Sequence, residues 1–170
     1  STKKRSQLNL THFTADALQE DLHAQLGLEL KSFDLAIGNP PFMKPEWRDH
    51  YSHILEDSGL SAAVSCHKEA TSHILFLAQS LRLVRPEGKL GLILPDGIVS
   101  GEKNYSLRKN LLENHHIEQV IKLPSRAFSK TEAQTHLLIL TKEGNQQSKT
   151  MLSSFNHEGK TSPPIFVDPK

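Results

Sequence analysis

The chain has 170 residues, about one domain by length, with 20 Lys and Arg against 19 Asp and Glu, 36% hydrophobic residues and 23% charged ones. This balance excludes a disordered tail, a collagen-like chain and a disulfide scaffold, and a net charge of +1 gives no global electrostatic reason to expect a nucleic-acid partner. No apolar run approaches the roughly 20 residues that cross a bilayer, no secretory segment opens the chain, and Cys66 is the single cysteine, so a soluble cytoplasmic protein without an intrachain disulfide or a membrane partner is expected.

Residues 1–7 read as a flexible basic arm. The chain begins at Ser1 without an initiator Met and enters patterned sequence almost at once, so a processed product or a piece of something larger is expected. Leu8, Leu10 and the segment to Phe13 alternate apolar with polar, which predicts a short strand. Ala17, Leu18, Leu22 and Leu26 follow at near-helical spacing, predicting a helix to about Gln25 that Gly27 stops. Residues 33–38 form a compact apolar run that must end at Asn39-Pro40-Pro41, because proline donates nothing to a strand ladder.

Residues 42–65 are polar without a sustained period and read as a long loop of the kind that is often functional. From Ala70 the apolar positions Ile74, Leu77, Ala78, Leu81 and Val84 share one helical face, and Pro86-Glu87-Gly88 closes that helix. Leu90 to Leu94 reads as a strand buried on both faces, with a turn at Pro95-Asp96-Gly97. A helix is predicted over 105–114 with Leu107, Leu111 and Leu112 inward, then strands over 117–123 and 137–140. The core domain is placed at 8–150 and an extended tail or linker at 151–170. Strands alternating with helices predict an α/β sheet covered on both faces, whose ligands bind beyond the carboxyl ends of the strands. Asn39-Pro40-Pro41-Phe42 sits at one such end.

Pro40 and Pro41 fix φ near −65° and push the residue before each into extended conformation, making a rigid projection. That projection presents acceptors, namely the Asn39 side-chain oxygen and the Asn39 and Pro40 carbonyls, beside the flat face of Phe42. A planar NH2 on a conjugated ring fits this set: its two N–H groups meet the acceptors while its ring stacks on Phe42. Accepting both hydrogens raises electron density on nitrogen and turns its lone pair toward an electrophile. Stacking a base on an aromatic contributes roughly 1–3 kcal/mol, against a few kcal/mol to extrude a paired base, so backbone contacts and hydrogen bonds must supply the net affinity. The bland alternative is a strand terminator followed by a core aromatic.

The run Phe33-Asp34-Leu35-Ala36-Ile37-Gly38-Asn39-Pro40-Pro41-Phe42 resembles the catalytic motif of amino-group methyltransferases that use S-adenosylmethionine. The segment from Gly88 to Gly97, Leu107-Arg108-Lys109-Asn110-Leu111-Leu112, and Val120-Ile121-Lys122-Leu123-Pro124 with Phe128, Thr131 and Thr135 are similar to the N6-adenine DNA methylase subunits of restriction-modification systems. The resemblance covers about residues 8–142. It implies a Rossmann-like α/β methyltransferase sheet, with Asn39 and Pro40 accepting the amino hydrogens of a flipped adenine, Phe42 stacking on it, Pro41 stiffening the tip and Phe128 closing the pocket. For the cofactor it implies Asp16, with Ala17 beside it, and Asn39; an Asp before a short helix is equally an ordinary N-cap.

The sequence departs from that family before the motif. Only 38 residues precede Asn39, and Gly27 and Gly38 are their only glycines, so a glycine-rich cofactor turn has no place there and the first strands of the sheet are expected to be missing. An edge left on the catalytic strand invites pairing with an N-terminal cofactor-binding segment or with another copy of the chain.

Other constellations are weaker. The 10 histidines include no pair at i, i+4: His115 and His116 diverge on a helix, and His67 and His73 share no ligating face, so no metal is predicted. No Gly-x-Ser-x-Gly elbow supports a serine nucleophile, and Cys66 reads as an ordinary thiol. Lys44, Trp47, Arg48 and Tyr51 mix basic and aromatic groups beside the tip, which suits a DNA backbone and an unstacked base, or an ordinary surface loop. Arg108 reads as a surface or salt-bridging residue.

The leading expectation is methyl transfer from S-adenosylmethionine to adenine N6 in DNA, within a restriction-modification system with its specificity and restriction subunits. The chain alone is expected to be inactive for want of the glycine-rich cofactor motif. The alternatives are methylation of a protein glutamine amide, whose nitrogen is also planar and conjugated, and a non-catalytic truncated remnant that dimerises.

Overall fold

Two consecutive prolines end the first strand, β1 (Phe33–Gly38), at the position the sequence dictates. The computed structural model describes residues 11–125, 127–128 and 133–168. Within them β2 (Val84–Pro95), β3 (His115–Lys122), β4 (Thr135–Lys142), β5 (Thr150–Ser154) and β6 (Ile165–Val167) join β1 in a sheet of order β1-β2-β4-β3-β5-β6. β1 is parallel to β2 and β3 to β5, while β2–β4, β3–β4 and β5–β6 are antiparallel. β1 therefore lies at one edge.

The helices are α1 (Leu22–Gln25), α2 (His50–Asp57), α3 (Ser72–Leu83), α4 (Asp96–Val99) and α5 (Tyr105–Asn114). α3 follows its predicted stripe: Ile74, Leu77, Ala78 and Leu81 are buried in one core with Leu90, Leu92 and Leu94 of β2 and Leu138 and Leu140 of β4. α5 adds Leu107 and Leu111 to this core, whereas Leu112, expected inward, is exposed. Among the described residues no helix is long and apolar enough to cross a membrane.

Several expectations are corrected. Among the described residues the sheet is covered on one face only. α2, α3 and α5 contribute to the same core on that face, and the other face leaves Leu35 54% and Ile37 77% exposed, with Ile93, Leu137 and Ile139 half-buried beside them. Leu90 to Leu94 is apolar throughout, so its alternation of buried and half-buried positions is invisible in the sequence.

The stop at Pro86-Glu87-Gly88 is not a stop. Pairing with β1 starts at Phe33 opposite Val84 and resumes at Leu35 opposite Lys89, so the three residues form a bulge within β2, with Glu87 at φ 61°. Gly88 is required there, because a Cβ would come within 3.0 Å of the Asp34 carbonyl and overlap the Val84 side chain.

The helix expected from residue 17 shrinks to α1. The Gln79 Nε2 donates to the Ala17 and Gln19 carbonyls and the Arg82 guanidinium to that of Glu20, so side chains of α3 take the carbonyls a helix would have used. Residues 42–65, read as loop, contain α2, which buries Tyr51, Ile54 and Leu55. Of the strand expected over 8–13, residues 8–10 lie outside the described residues, as does the arm at 1–7, and 11–13 pair with nothing in the sheet. The segment expected as an extended tail supplies β5 and β6 to the same sheet.

Candidate active site

Because β1 and β2 are parallel and β4 runs against β2, the end of β1, the end of β2 and the start of β4 share one rim of the sheet. β3 is antiparallel to β4, so its carboxyl end, and the connection that carries Phe128, leave from the same rim. Gly38, Asn39, Pro40 and Pro41 line a cavity of about 280 Å³ there, together with Ala17 and Leu92 among others. Pro40 is buried while Asn39 and Pro41 are exposed. Among the described residues nothing takes the Asn39 side-chain amide, so its oxygen remains available as an acceptor.

Beyond the prolines the chain is tied residue by residue to the region leading into α3. The half-buried Phe42 ring meets His73 edge-to-face, with centroids 6.1 Å apart and planes at 87°. The Ser72 N–H donates to the Met43 carbonyl at 2.8 Å. Lys44 Nζ lies 2.7 Å from Glu69 Oε1, and this bond, with the lysine's charge, holds the Glu69 carboxyl below the usual range.

The other predicted site residues divide. Asp16 is beside the cavity through Ala17, but both its oxygens are engaged: Oδ1 accepts the Leu18 N–H at 3.0 Å and Oδ2 pairs with Arg48 Nη1 at 3.0 Å. The first of these is the cap-like turn that an Asp in this position makes locally. Arg48 is thereby occupied. Trp47 packs on the core and stacks on His67 at 6.5 Å and 30°. Tyr51 is buried beneath it. Phe128 is half-buried in the connection after β3, and Thr131 lies outside the described residues. Arg108 donates to the Ile98 and Gly101 carbonyls, fixing α4 against α5.

Sequence reasoning passed over His73, weighing it only as a metal ligand. Its signal was positional: it lies in the first turn of the helix that follows the motif. Burial lowers its pKa to about 4, so the ring against Phe42 is neutral at pH 7. Asp96 and His136 meet at the same rim, 3.7 Å apart, and burial also lowers the His136 pKa.

An acceptor tip, an aromatic face and a cavity at the carboxyl end of a parallel strand suit a flat amino-bearing ring. The sequence profile of the N-6 DNA Methylase family matches residues 4–163. This chain belongs to that family. It is 30% identical over 130 residues to the Type II restriction enzyme and methyltransferase RM.Eco57I of Escherichia coli, a match covering 75% of this chain and 13% of that protein. It is 27% identical over 116 residues to the Type I restriction enzyme MpnII methylase subunit of Mycoplasma pneumoniae, covering 68% and 21%.

Among solved structures, the type I restriction-modification methyltransferase subunit from Streptococcus thermophilus aligns with TM-score 0.61 and 27% identity, over 84% of this chain and 29% of that one. A class I S-adenosylmethionine-dependent methyltransferase from Listeria monocytogenes aligns with TM-score 0.54 and 26% identity, over 71% and 36%. The methylase sheet described above is thus part of the class I methyltransferase fold. The chain spans between about an eighth and a third of the length of these relatives.

Proposed function

We propose that this chain carries the target-base half of an adenine-N6 DNA methyltransferase active site from a restriction-modification system. The observation that carries the reading is the unpartnered Asn39 amide, standing on a buried Pro40 at the carboxyl end of β1 and opening onto the cavity that reaches Ala17. Asn39 and the Pro40 carbonyl accept the two amino hydrogens of a flipped adenine, and Phe42 stacks on its ring. Pro41 holds the spacing between acceptors and ring, and Phe128 approaches from the β3 side of the rim.

S-adenosylmethionine, when bound, would supply an electrophilic methyl group. The residues present fit one end of it: Ala17, Gly38 and Asn39 wall the cavity next to the tip. Asp16 reaches the cofactor only by leaving Arg48. Lys44 and Trp47 act on DNA indirectly, by shaping the strap after Phe42, since each is already engaged with the protein. The remainder of the cofactor site comes from an N-terminal cofactor-binding segment, or another copy, aligned along the open edge of β1, so the chain by itself does not turn over. Specificity and restriction subunits complete the assembly, a reading supported by the relative from Mycoplasma pneumoniae being named a methylase subunit of a type I restriction enzyme.

The test is calorimetric titration of S-adenosylmethionine into the chain, with Asn39→Ala alongside, and transfer of labelled methyl to adenine-containing DNA or to a glutamine-bearing protein. Saturable binding that weakens in the variant, with label on DNA once a cofactor-binding segment or second copy is supplied, supports the reading. Label on the protein substrate replaces it with amide methylation, and no binding or transfer in any arrangement identifies a non-catalytic remnant.

A further inference from the structure

We propose that His73 is a positioning residue for Phe42: its ring, set edge-to-face, fixes the plane on which the target base stacks. The inference rests on the base-binding reading above. Pro40 and Pro41 remove the backbone freedom of the tip, which leaves the Phe42 ring torsions as its soft coordinates. A base stacking on a loose ring would have to order it first; a ring already held avoids that cost.

His73 is itself held. Thr71 Oγ1 lies 2.7 Å from its Nε2. Thr71 is the residue before α3, in extended conformation, where a threonine hydroxyl ordinarily caps the helix; here it makes no cap bond and is committed to the imidazole. The ties at Met43–Ser72 and Lys44–Glu69 fix the backbone on which both rings are mounted. At 6.1 Å and 87° the pair lies within the range aromatic rings prefer, and Phe42 still keeps part of its surface open.

The charged groups on the surrounding elements are Lys44 and Glu69, which neutralise one another, and Lys103, which bears on Glu69. Along α3 the next charge is Arg82. Burial alone lowers the His73 pKa, and its Nδ1 is buried without a partner among the described residues. Protonation of His73 therefore places a charge directly against the Phe42 ring.

The experiment uses the chain labelled with 4-fluorophenylalanine, the Phe42 resonance being assigned by its loss in Phe42→Leu. The wild-type Phe42 line is expected to titrate with an apparent pKa of about 4 while the core lines of Phe33 and Phe76 stay fixed. His73→Phe keeps a ring and loses the Thr71 bond; His73→Gln keeps a bonding group and loses the ring. The neutral-pH position of the line should persist in the first and be lost in the second.

Stacking is read separately, as quenching of 2-aminopurine in a short single-stranded DNA. Affinity should fall on the order of two- to tenfold in His73→Gln, the worth of one aromatic pair, and be kept in His73→Phe. A Phe42 line indifferent to both variants, or the reverse order of effects, overturns the positioning role. A line that responds to His73 in a wild-type chain that quenches no 2-aminopurine overturns the base-binding reading instead.

Discussion

Asn39 and His115 illustrate two ways a polar side chain can be spent. Asn39 is exposed and without a partner among the described residues, so Asn39→Ala should leave the urea midpoint nearly unchanged, within about 0.5 kcal/mol, while abolishing transfer in the assembled enzyme. Retained turnover in that variant would remove Asn39 from the chemistry. His115 is consumed by the fold: its Nδ1 accepts the Glu143 N–H at 3.1 Å, which only the neutral ring can do. Burial, aided by Lys142, lowers its pKa to about 4, as burial does for His73.

A histidine held below its unfolded value of roughly 6.5 contributes stability that is complete above that pH and is lost as pH falls through the folded value. Chemical unfolding at a series of pH values should therefore show stability constant above about pH 6.5 and declining toward pH 4, with the decline reduced in His115→Asn. The sequence made the motif residues legible because Asn-Pro-Pro-Phe carries its geometry in its own backbone restrictions. It could not show that Lys44, Trp47 and Arg48 are engaged by Glu69, His67 and Asp16, since those pairings are made by the tertiary fold.

At the scale of elements, periodicity read well wherever one face is buried over several turns. α3 matches its apolar stripe, α5 buries Leu107 and Leu111 of its three predicted inward residues but not Leu112, and β1 keeps its predicted bounds. α2 escaped because its three buried residues, Tyr51, Ile54 and Leu55, are diluted by His50, Ser52 and His53 within two turns. The bulge in β2 escaped because Pro-Glu-Gly is also the usual ending of a helix. Gly88→Ala tests the bulge: the added methyl meets the Asp34 carbonyl and the Val84 side chain, and thermal or urea unfolding should show a loss of about 1–3 kcal/mol. A neutral result would mean that the bulge can relax.

Among the described residues the molecule is a sheet with one clothed face and one bare one, bounded by a β1 edge on which no further strand pairs. A contiguous apolar surface of this kind is unusual for a chain that stays alone in water. Sedimentation of the isolated chain should show association that grows with concentration. Ile37→Lys, at a position 77% exposed, should reduce it and leave the unfolding midpoint nearly unchanged. A monomer at all concentrations would mean that the bare face and open edge are not sufficient for pairing.

The passage from α3 to β2 has no loop: Val84 ends the helix and opens the strand in one residue. Its carbonyl is held by the buried Lys142 Nζ at 2.9 Å. Helix and strand are therefore a single lever, pinned at Val84, whose far end carries the Phe42 aromatic through Ser72 and His73. A rearrangement that swings the tip is therefore expected to be felt in β2, the strand next to the sheet edge, which would couple the proposed capture of a base to the mechanics of the sheet.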